Sequence, residues 1–366
     1  MLRVLILSTD LQRGGLPLRL AKLALHIRRA GVEPIIGCLA PPGPLSHELA
    51  RQGVTTFSCN AAGPFDARCL LRLAEHVRAF DPDVIHASLF HANLAARLVG
   101  RLDRARPIIT STVTIEIERP LHRFFESITA GFSDVHVANS EAVAAHLRDD
   151  LGVAGDRVVV IPNAIDFKEM DAAPAASRAA LGLDESRPLI LWAGRMDPVK
   201  NLPTFVEVIA RLRRRTDVQA LLLGDGPVRP AMEREVVAKG LTGAVRFAGW
   251  SPDVARWLKC ADVLLFPSFT EGCPNVVLEA IACRCPIVAS DIPSCRELVR
   301  NGIDGLLRPP TDAGALTDAL TCVLCDRAKA RARADAALLR IRAQHELSTV
   351  VGQWLRLYGD SVGTVG

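Results

Sequence analysis

Two short loops of this sequence carry charged residues at spacings that suit the binding of a diphosphate. The first contains Arg195 and Lys200 and follows the apolar run 189–193. A guanidinium can hold two phosphate oxygens at once, and a nearby ammonium adds positive charge. Two cations at the end of a strand would stabilise a pyrophosphate both when it is bound and when it leaves. An ordinary charged surface loop could contain the same residues, so this segment alone does not show whether a diphosphate binds here.

The second loop follows the apolar run 264–266 and contains two carboxylates, Glu271 and Glu279. We predict a helix beginning at Pro274, because proline suits the first helical position. A helix N-terminus attracts anions through its amides and its dipole. The amides that we expect to face the anion belong to Gly272, Cys273, Asn275 and Val276.

At a rise of roughly 1.5 Å per residue, Glu279 lies on the order of 7 Å below Pro274 along that helix. Each of the two carboxylates can accept paired hydrogen bonds from vicinal sugar hydroxyls, one pair on a ribose and one on a hexose. The loop therefore suits a sugar nucleotide. A plain helix N-terminus with a solvated Glu is the alternative.

Length and composition predict a globular, two-domain protein. The chain has 366 residues, 49% hydrophobic and 23% charged, which is too long for one ordinary core. A net charge of +4 is too small to indicate a nucleic-acid partner, and no basic groove with interleaved aromatic residues is visible. No apolar run approaches the ~20 residues of a membrane span. The N-terminus lacks a signal-peptide pattern, so we expect a cytoplasmic protein.

Strand-like runs alternate with helical patterns along the whole chain, which is typical of parallel sheets with crossover helices. We predict two Rossmann-like, doubly wound α/β domains facing each other across a cleft, residues 1–168 and 169–345, connected near 172–180. Residues 346–366 are predicted to be helical, with a return to the first domain left open. Ligands of such sheets bind outside the carboxyl ends of strands, where both charged loops lie.

Two residue patterns could suggest a metal, and we predict that neither binds one. The cysteines of 283–285 and 322–325 have the number of thiolates that zinc requires, but they lie in apolar segments where Cys behaves as a small hydrophobe. The ten cysteines show no disulfide-like rhythm, as expected of reduced thiols. Asp81 and Asp83 have the spacing of a D-x-D motif, but they merely precede a predicted strand.

Taken together, the two loops read G-R-x-x-x-x-K-N, followed further along by E-G-x-P-N-x-x-x-E. This pairing resembles the family 4 glycosyltransferases of the GT-B fold. Other segments agree along nearly the whole chain: Gly14-Gly15, Asp83–His86, Val137–Ser140, Ile161–Asp166, Leu223–Pro227 and Val245–Trp250.

The resemblance implies metal-independent, retaining transfer of a hexose-type sugar from a nucleoside-diphosphate sugar to a glycan or lipid-linked acceptor, in surface polysaccharide or glycoconjugate synthesis. Arg195 and Lys200 would hold the diphosphate and stabilise the departing nucleotide. Glu271 would bind the transferred sugar, and Glu279 the ribose.

The resemblance also extends to the rest of the donor site. The Gly14-Gly15 turn would let the first domain approach the diphosphate, which requires glycine for close contact and positive φ. Gly226, Phe247 and Trp250 would border the base.

The resemblance places the acceptor in the first domain, near His86, Ser88, His91 and Asn93. Many relatives carry a second His two residues after the position of His86, where this chain has Ser88. A serine can hydrogen-bond a sugar hydroxyl but cannot act as a base, so either His91 takes part of that role or it is structural. The Glu that often follows Gly-Gly is replaced here by the Leu-Pro-Leu-Arg of 16–19.

The segment 118–125 mixes basic and bulky apolar residues. Such a surface can rest on an anionic inner membrane leaflet, but we expect Phe124 or Phe125 to face the core instead.

Two other functions stay open. A sugar-nucleotide epimerase of the same fold would turn over the donor without an acceptor. A non-catalytic sugar-nucleotide-binding subunit of an assembly would have little need of the full set Arg195, Lys200, Glu271 and Glu279.

Overall fold

The computed structural model describes residues 1–63, 66–100, 106–115 and 120–363. The chain forms two compact units: unit 1 is Met1–Ala164 with Ser348–Gly366, and unit 2 is Ile165–Leu347. The two points where the chain enters and leaves unit 2 lie side by side, because the Ile165 amide donates to the His345 carbonyl (2.7 Å) and the Leu347 amide to the Ile165 carbonyl (3.0 Å). The connection predicted near 172–180 is therefore placed too late.

Unit 1 is a parallel sheet with crossover helices. Its strands are β1 (Arg3–Ser8), β2 (Glu33–Cys38), β3 (Thr55–Ser58), β4 (Val84–Ser88), β5 (Ile108–Thr112), β6 (Val135–Ala138) and β7 (Val158–Val160). Its helices are α1 (Gly15–Arg29), α2 (Pro44–Arg51), α3 (Arg68–Phe80), α4 (Phe90–Val99), α5 (Pro120–Thr129) and α6 (Glu141–Ala145), the last continued by a π-helical turn at His146–Asp150. Within the described residues the strand order is β3-β2-β1-β4-β5-β6-β7.

Unit 2 repeats this architecture. Its strands are β8 (Leu189–Ala193), β9 (Gln219–Leu223), β10 (Val245–Gly249), β11 (Val263–Phe266), β12 (Ile287–Ser290) and β13 (Leu306–Arg308), paired in the order β10-β9-β8-β11-β12-β13. Its helices are α7 (Phe167–Ala172), α8 (Leu202–Arg213), α9 (Arg229–Ala238), α10 (Val254–Cys260), α11 (Asn275–Ala282), α12 (Pro293–Leu298), α13 (Ala313–Cys325) and α14 (Arg327–His345).

Continuous apolar runs form the central strands of unit 2, as expected where helices cover both faces of a parallel sheet. Every residue of β8, β9 and β11 is buried. Residues facing opposite sides of the sheet belong to two separate core clusters, one containing Leu191 and Leu264, the other Trp192 and Leu265. The loops of the candidate site therefore follow strands that are fully buried.

The last helix, α15 (Leu347–Gly363), packs on unit 1. Trp354 stacks on His86 of β4 with ring centroids 4.3 Å apart, and the Tyr358 hydroxyl lies 2.8 Å from Nδ1 of the same histidine. None of the helices in the described ranges is long and apolar enough to cross a membrane.

The strands β3 and β13 carry little signal in the sequence. The two strands have only four and three residues, too few to show a clear alternation. Residues of β3 are partly exposed, so the strand also lacks the apolar run that identifies its neighbours.

Candidate active site

The two charged loops leave adjacent strands of unit 2. In the order β10-β9-β8-β11-β12-β13, the chain runs outward from β8 through β9 to β10, and then continues at β11 on the other side of β8. Parallel sheets bind ligands at such switch points, outside the carboxyl ends of the strands. Arg195 and Lys200 follow β8, and Glu271 follows β11, so the switch point holds all three.

Lys200 and Glu271 form an ion pair at this edge. The Lys200 ammonium lies 2.5 Å from Oε1 of Glu271, and their side chains are only 19% and 12% exposed. The same ammonium sits 5.7 Å from the centre of the Phe266 ring, which adds a cation–π contact. The pair is therefore held in place before any ligand arrives, with little water around it.

Asn201 ties the two loops together, a role that the sequence reasoning missed. Its side-chain amide donates to the carbonyls of Pro267 (3.0 Å) and Pro310 (2.9 Å). Its backbone is left-handed, with φ 51°, a conformation that Asn adopts more readily than most residues. The Phe269 amide also donates to the Val199 carbonyl at 2.9 Å. The only sequence signal for this position was the Asn that follows Lys200 in the motif.

Arg195 is the exposed cation of the site. Its side chain is 74% exposed, and Nε lies 3.0 Å from Oδ2 of Asp197. Asp197 holds the base of the guanidinium, while the two terminal nitrogens have no partner among the described residues. The structure therefore does not join Arg195 to Glu271, and a ligand can reach its outer edge.

Glycines allow a third loop, Gly224–Pro227, to lie directly on the Arg195 loop. A Cβ on Gly224, whose φ is 135°, would lie 1.8 Å from the Gly194 carbonyl oxygen, and one on Gly226 would lie 2.6 Å from that of Met196. The Met196 amide donates to the Asp225 carbonyl at 2.8 Å. Gly226 thus serves the packing of the two loops, in addition to any contact with a base.

Phe247 and Trp250 lie at the neighbouring strand end. The Gly224 amide donates to the Gly249 carbonyl, which joins the loop after β9 to the end of β10. The Arg229 guanidinium lies 5.9 Å from the Phe247 ring centre, and Trp250 is exposed. An exposed indole beside a glycine loop is a surface on which a planar base can stack.

Helix α11 begins one residue later than predicted. Pro274 is its N-cap, and the first helical residue is Asn275. Val276 and the following apolar residues of α11 are buried, while Glu279 is only partly buried. The first turn contains no acidic residue, so nothing on the helix opposes an anion at its N-terminus.

Cys273 packs partly buried against the core cluster that contains Cys295, a second cysteine that the sequence reasoning missed. Burial raises the pKa of the Cys295 thiol, and the charge of nearby Glu271 raises it further. Cys295 therefore stays a neutral thiol close to the Lys200–Glu271 pair. No sequence signal marked it.

The structure buries His86 and Ser88, the residues that the resemblance placed near an acceptor. Both side chains are fully buried. The His86 ring lies between Tyr358 and Ser111, its Nδ1 2.8 Å from the Tyr358 hydroxyl and its Nε2 2.9 Å from the Ser111 hydroxyl. Burial lowers the pKa of His86 to about 3. This histidine is a neutral structural group under α15.

His91 and Asn93 lie on the first turns of α4. The His91 ring meets that of His122 edge-on, with centroids 5.4 Å apart, and His122 stacks on Phe90 at 3.8 Å. Asn93 is buried, and its side-chain amide donates to the Ser111 carbonyl at 3.2 Å.

The Gly14-Gly15 segment does not have the predicted positive φ. Gly14 is the extended N-cap of α1, with φ −154°, and Gly15 is the first residue of that helix. A Cβ on Gly14 would make only an ordinary 3.6 Å contact with Pro17. The backbone therefore does not require glycine for its conformation at this position.

Asp81 and Asp83 are structural. Asp83 accepts from the Arg3 amide at 2.9 Å, and Asp81 pairs with Arg106 at 3.0 Å. Within the described part of the chain, no three His, Cys, Asp or Glu side chains are placed to hold a metal ion.

The prediction that Phe124 or Phe125 faces the core is wrong. Phe124 is 57% and Phe125 42% exposed. Glu118 and Arg119, from the same segment, lie outside the described residues.

Comparison with known proteins agrees with the two-unit architecture. A family profile described as Glycosyltransferase Family 4 matches residues 13–169, and one described as Glycosyl transferases group 1 matches residues 187–326.

Several curated glycosyltransferases are similar to the chain. It is 28% identical to the D-inositol 3-phosphate glycosyltransferase of Frankia alni, over 85% of this chain and 86% of that protein. It is 31% identical to the alpha-D-kanosaminyltransferase of Streptomyces kanamyceticus, over 53% of this chain and 51% of that protein. It is also 31% identical to the lipopolysaccharide core biosynthesis glycosyltransferase LpsE of Rhizobium meliloti, over 61% of each chain. The last two alignments thus span only about half and three fifths of those relatives.

Solved structures share the fold. Anabaena HepE in complex with UDP-glucose superimposes with a TM-score of 0.86 at 20% identity, covering 98% of this chain and 100% of that one. Sucrose-phosphate synthase from Thermosynechococcus elongatus gives 0.85 at 21% identity, with both chains covered completely. The chain has two Rossmann-like parallel sheets, matches both family profiles and retains the motif residues. It therefore belongs to the family 4 glycosyltransferases and has the GT-B fold.

Proposed function

We propose that the protein transfers a hexose-type sugar, with retention and without a metal, from a nucleoside-diphosphate sugar to a glycan or lipid-linked acceptor. Unit 2 binds the donor and unit 1 the acceptor. The observation that carries this proposal is the largely buried Lys200–Glu271 pair at a sheet switch point, with the exposed Arg195 on the same loop as Lys200.

The cations take the charge that develops when the sugar leaves the diphosphate. Lys200 is fixed by Glu271 and Phe266, so it needs little reorganisation during the reaction. Fixed charges in a site with little water stabilise developing charge far better than mobile charges in bulk solvent. Arg195 adds a guanidinium that can hold two oxygens of the diphosphate, and the N-terminus of α11 adds its amides. These groups together replace a divalent cation.

Glu271 also positions the sugar. Its Oε1 is paired with Lys200, and a carboxylate has further lone pairs that can accept from sugar hydroxyls. Glu279, further along α11, accepts the hydroxyls of the ribose. Gly226, Phe247 and Trp250 border the base.

The acceptor is a surface glycan or a related glycoconjugate, with the protein on the cytoplasmic face of the inner membrane. The relative that builds a lipopolysaccharide core supports this class of product. Support for a peripheral membrane contact comes from α5, whose exposed apolar side chains continue past its end: Leu121, Phe124, Phe125, Ile128 and Phe132. Apolar side chains on one exposed helix insert readily into the interfacial region of a bilayer.

A donor screen tests the proposal. The full chain is heated with UDP-, GDP-, ADP- and dTDP-sugars, and the donor that raises the melting temperature is then incubated with and without candidate glycan acceptors. Transfer that depends on an acceptor is expected. Stabilisation by none of these donors would contradict the proposal, and turnover of the donor alone would favour an epimerase.

A further inference from the structure

Unit 1 contains a cavity of about 40 Å³ at the carboxyl end of β5. It lies between the start of α4, the residues that follow β5, and one face of α5. Among its lining residues are Phe90, Asn93, Ser111, His122, Arg123 and Glu126. We infer that this cavity binds the phosphate monoester group of a hydroxylated acceptor, an inference that rests on the proposed transferase function.

The first observation that supports a phosphate ester in this cavity concerns Asn93. Its side chain is 1% exposed, and its amide nitrogen donates to the Ser111 carbonyl at 3.2 Å. Asn93 lines the cavity, and its Oδ1 is buried with no hydrogen-bond partner among the described residues. Leaving a buried carbonyl oxygen unsatisfied destabilises the folded protein. A ligand hydroxyl that donates to Oδ1 would remove this cost.

The charges of the cavity favour an anion. Arg123 lines it and makes no ion pair with any residue that the structure describes. Glu126 also lines it, but its carboxylate is paired at 2.5 Å with the buried Arg97 guanidinium. The negative charge of the cavity is therefore already compensated, and the positive charge of Arg123 is not.

The start of α4 adds to this preference. Its N-cap is Leu89, which provides no side-chain hydrogen bond, and the first turn of the helix contains no acidic residue. Phe90, the first helical residue, lines the cavity. The positive end of the α4 dipole therefore faces the same space as Arg123, and a bound anion would interact with both.

The size of the cavity suits a phosphate group. A cavity needs roughly 10–15 Å³ to hold one water molecule, so 40 Å³ takes about three groups of that size. A phosphate monoester presents three terminal oxygens. A hydroxyl on the adjoining carbon would then be the donor for Asn93.

Calorimetric titration of the full chain with glycerol 3-phosphate tests the inference, with glycerol as the uncharged control ligand. The nucleoside diphosphate from the donor screen is kept saturating, so that unit 2 cannot bind the phosphate. Glycerol 3-phosphate is expected to bind and glycerol is not. Arg123→Gln should weaken binding roughly 10-fold or more, because a charge-assisted hydrogen bond is lost. Arg123→Lys should recover part of it.

Arg51→Gln is the matched control, since Arg51 is an exposed arginine at the end of α2 in the same unit. It should leave binding unchanged. If the wild type does not bind glycerol 3-phosphate, or if Arg123→Gln binds it equally well, the inference is wrong. Binding of the nucleoside diphosphate in the same samples tests the donor site separately, so the two failures are distinguishable.

Vesicles distinguish a lipid from a soluble source of the phosphate. If Arg123-dependent binding is stronger to phosphatidylcholine vesicles containing phosphatidic acid than to glycerol 3-phosphate, the acceptor phosphate is that of a lipid. If Arg123-dependent binding is confined to the soluble ester, the acceptor is a soluble phosphate. Either result supports the phosphate subsite. The proposal is overturned if the protein does not bind the ester and if Arg123→Gln leaves binding to the vesicles unchanged.

Discussion

Lys200 and Glu271 leave different strands of unit 2 and meet at 2.5 Å. Two other contacts hold their loops together: the Asn201 side chain bonds to the Pro267 carbonyl, and the Phe269 amide bonds to the Val199 carbonyl. The ion pair is thus fixed by surrounding backbone contacts and not by its own attraction alone. A site built in this way can hold a leaving diphosphate without first reorganising.

Removing divalent metals should leave activity intact. The proposed electrostatic stabilisation comes from Arg195, Lys200 and the start of α11, all parts of the chain itself. Sugar transfer measured with excess EDTA is therefore expected to match transfer measured without it. Loss of transfer with EDTA, restored by Mn²⁺, would instead point to Asp81 and Asp83 as ligands and contradict the proposal.

Gly224→Ala should disrupt the donor site. The new Cβ would lie 1.8 Å from the Gly194 carbonyl oxygen, in a backbone with φ 135°, so the two loops must separate. We expect the free energy of unfolding to fall by at least about 2 kcal/mol and donor binding to weaken. Gly243→Ala is the control, because a Cβ there has no neighbour within 4 Å. Equal stability and donor affinity of the two variants would show that the close approach is unimportant.

His86 should make the stability of the protein depend on pH. Burial lowers its pKa to about 3 from an ordinary value of 6.5. As the pH falls between these values, the unfolded chain takes up a proton that the folded protein does not, so stability is lost. Between pH 7 and pH 5 this histidine alone should lower the free energy of unfolding by about 2 kcal/mol.

Urea unfolding at both pH values measures this effect. His86→Gln, which keeps a hydrogen-bonding side chain, should reduce the difference between pH 7 and pH 5. The exposed His47 of α2 provides the control variant His47→Gln, which should not reduce it. An unchanged pH dependence in His86→Gln would mean that His86 is not held neutral.

The exposed face of α5 should bind anionic membranes. Phe124→Asp together with Ile128→Asp places charge on two exposed apolar positions and should reduce sedimentation with phosphatidylglycerol vesicles several-fold. The control is Leu339→Asp on α14, another exposed apolar position, which should sediment as the wild type does. Equal sedimentation of all three proteins would exclude α5 as the membrane contact.

The fold was predictable where its elements carry strong local patterns. Continuous apolar runs such as Leu189–Ala193 identified the central strands, and helical spacing identified the helices between them. The boundary between the units was not predictable in the same way. It depends on pairing between Ile165 and Glu346, which are far apart in the sequence and carry no local signal of contact.

The residues of the candidate site also differ in how far the sequence could predict them. Charge types and motif spacing led to the prediction of Arg195, Lys200 and Glu271, because each follows a predicted strand, and the structure pairs Lys200 with Glu271. The role of His86 could not be read locally, because its partner Tyr358 lies 272 residues away. At Gly14 a local pattern was misleading. A Gly-Gly pair suggests positive φ, but here the two residues begin a helix.

The role of the two cations is the central claim, and transfer by point variants tests it most directly. Arg195→Ala and Lys200→Ala are compared with the wild type at saturating donor, with Arg215→Ala, an exposed arginine paired with Asp318, as the control. We predict that each site variant lowers the rate of transfer by about 10²-fold or more while Arg215→Ala does not. Near-normal turnover in both site variants would contradict the account.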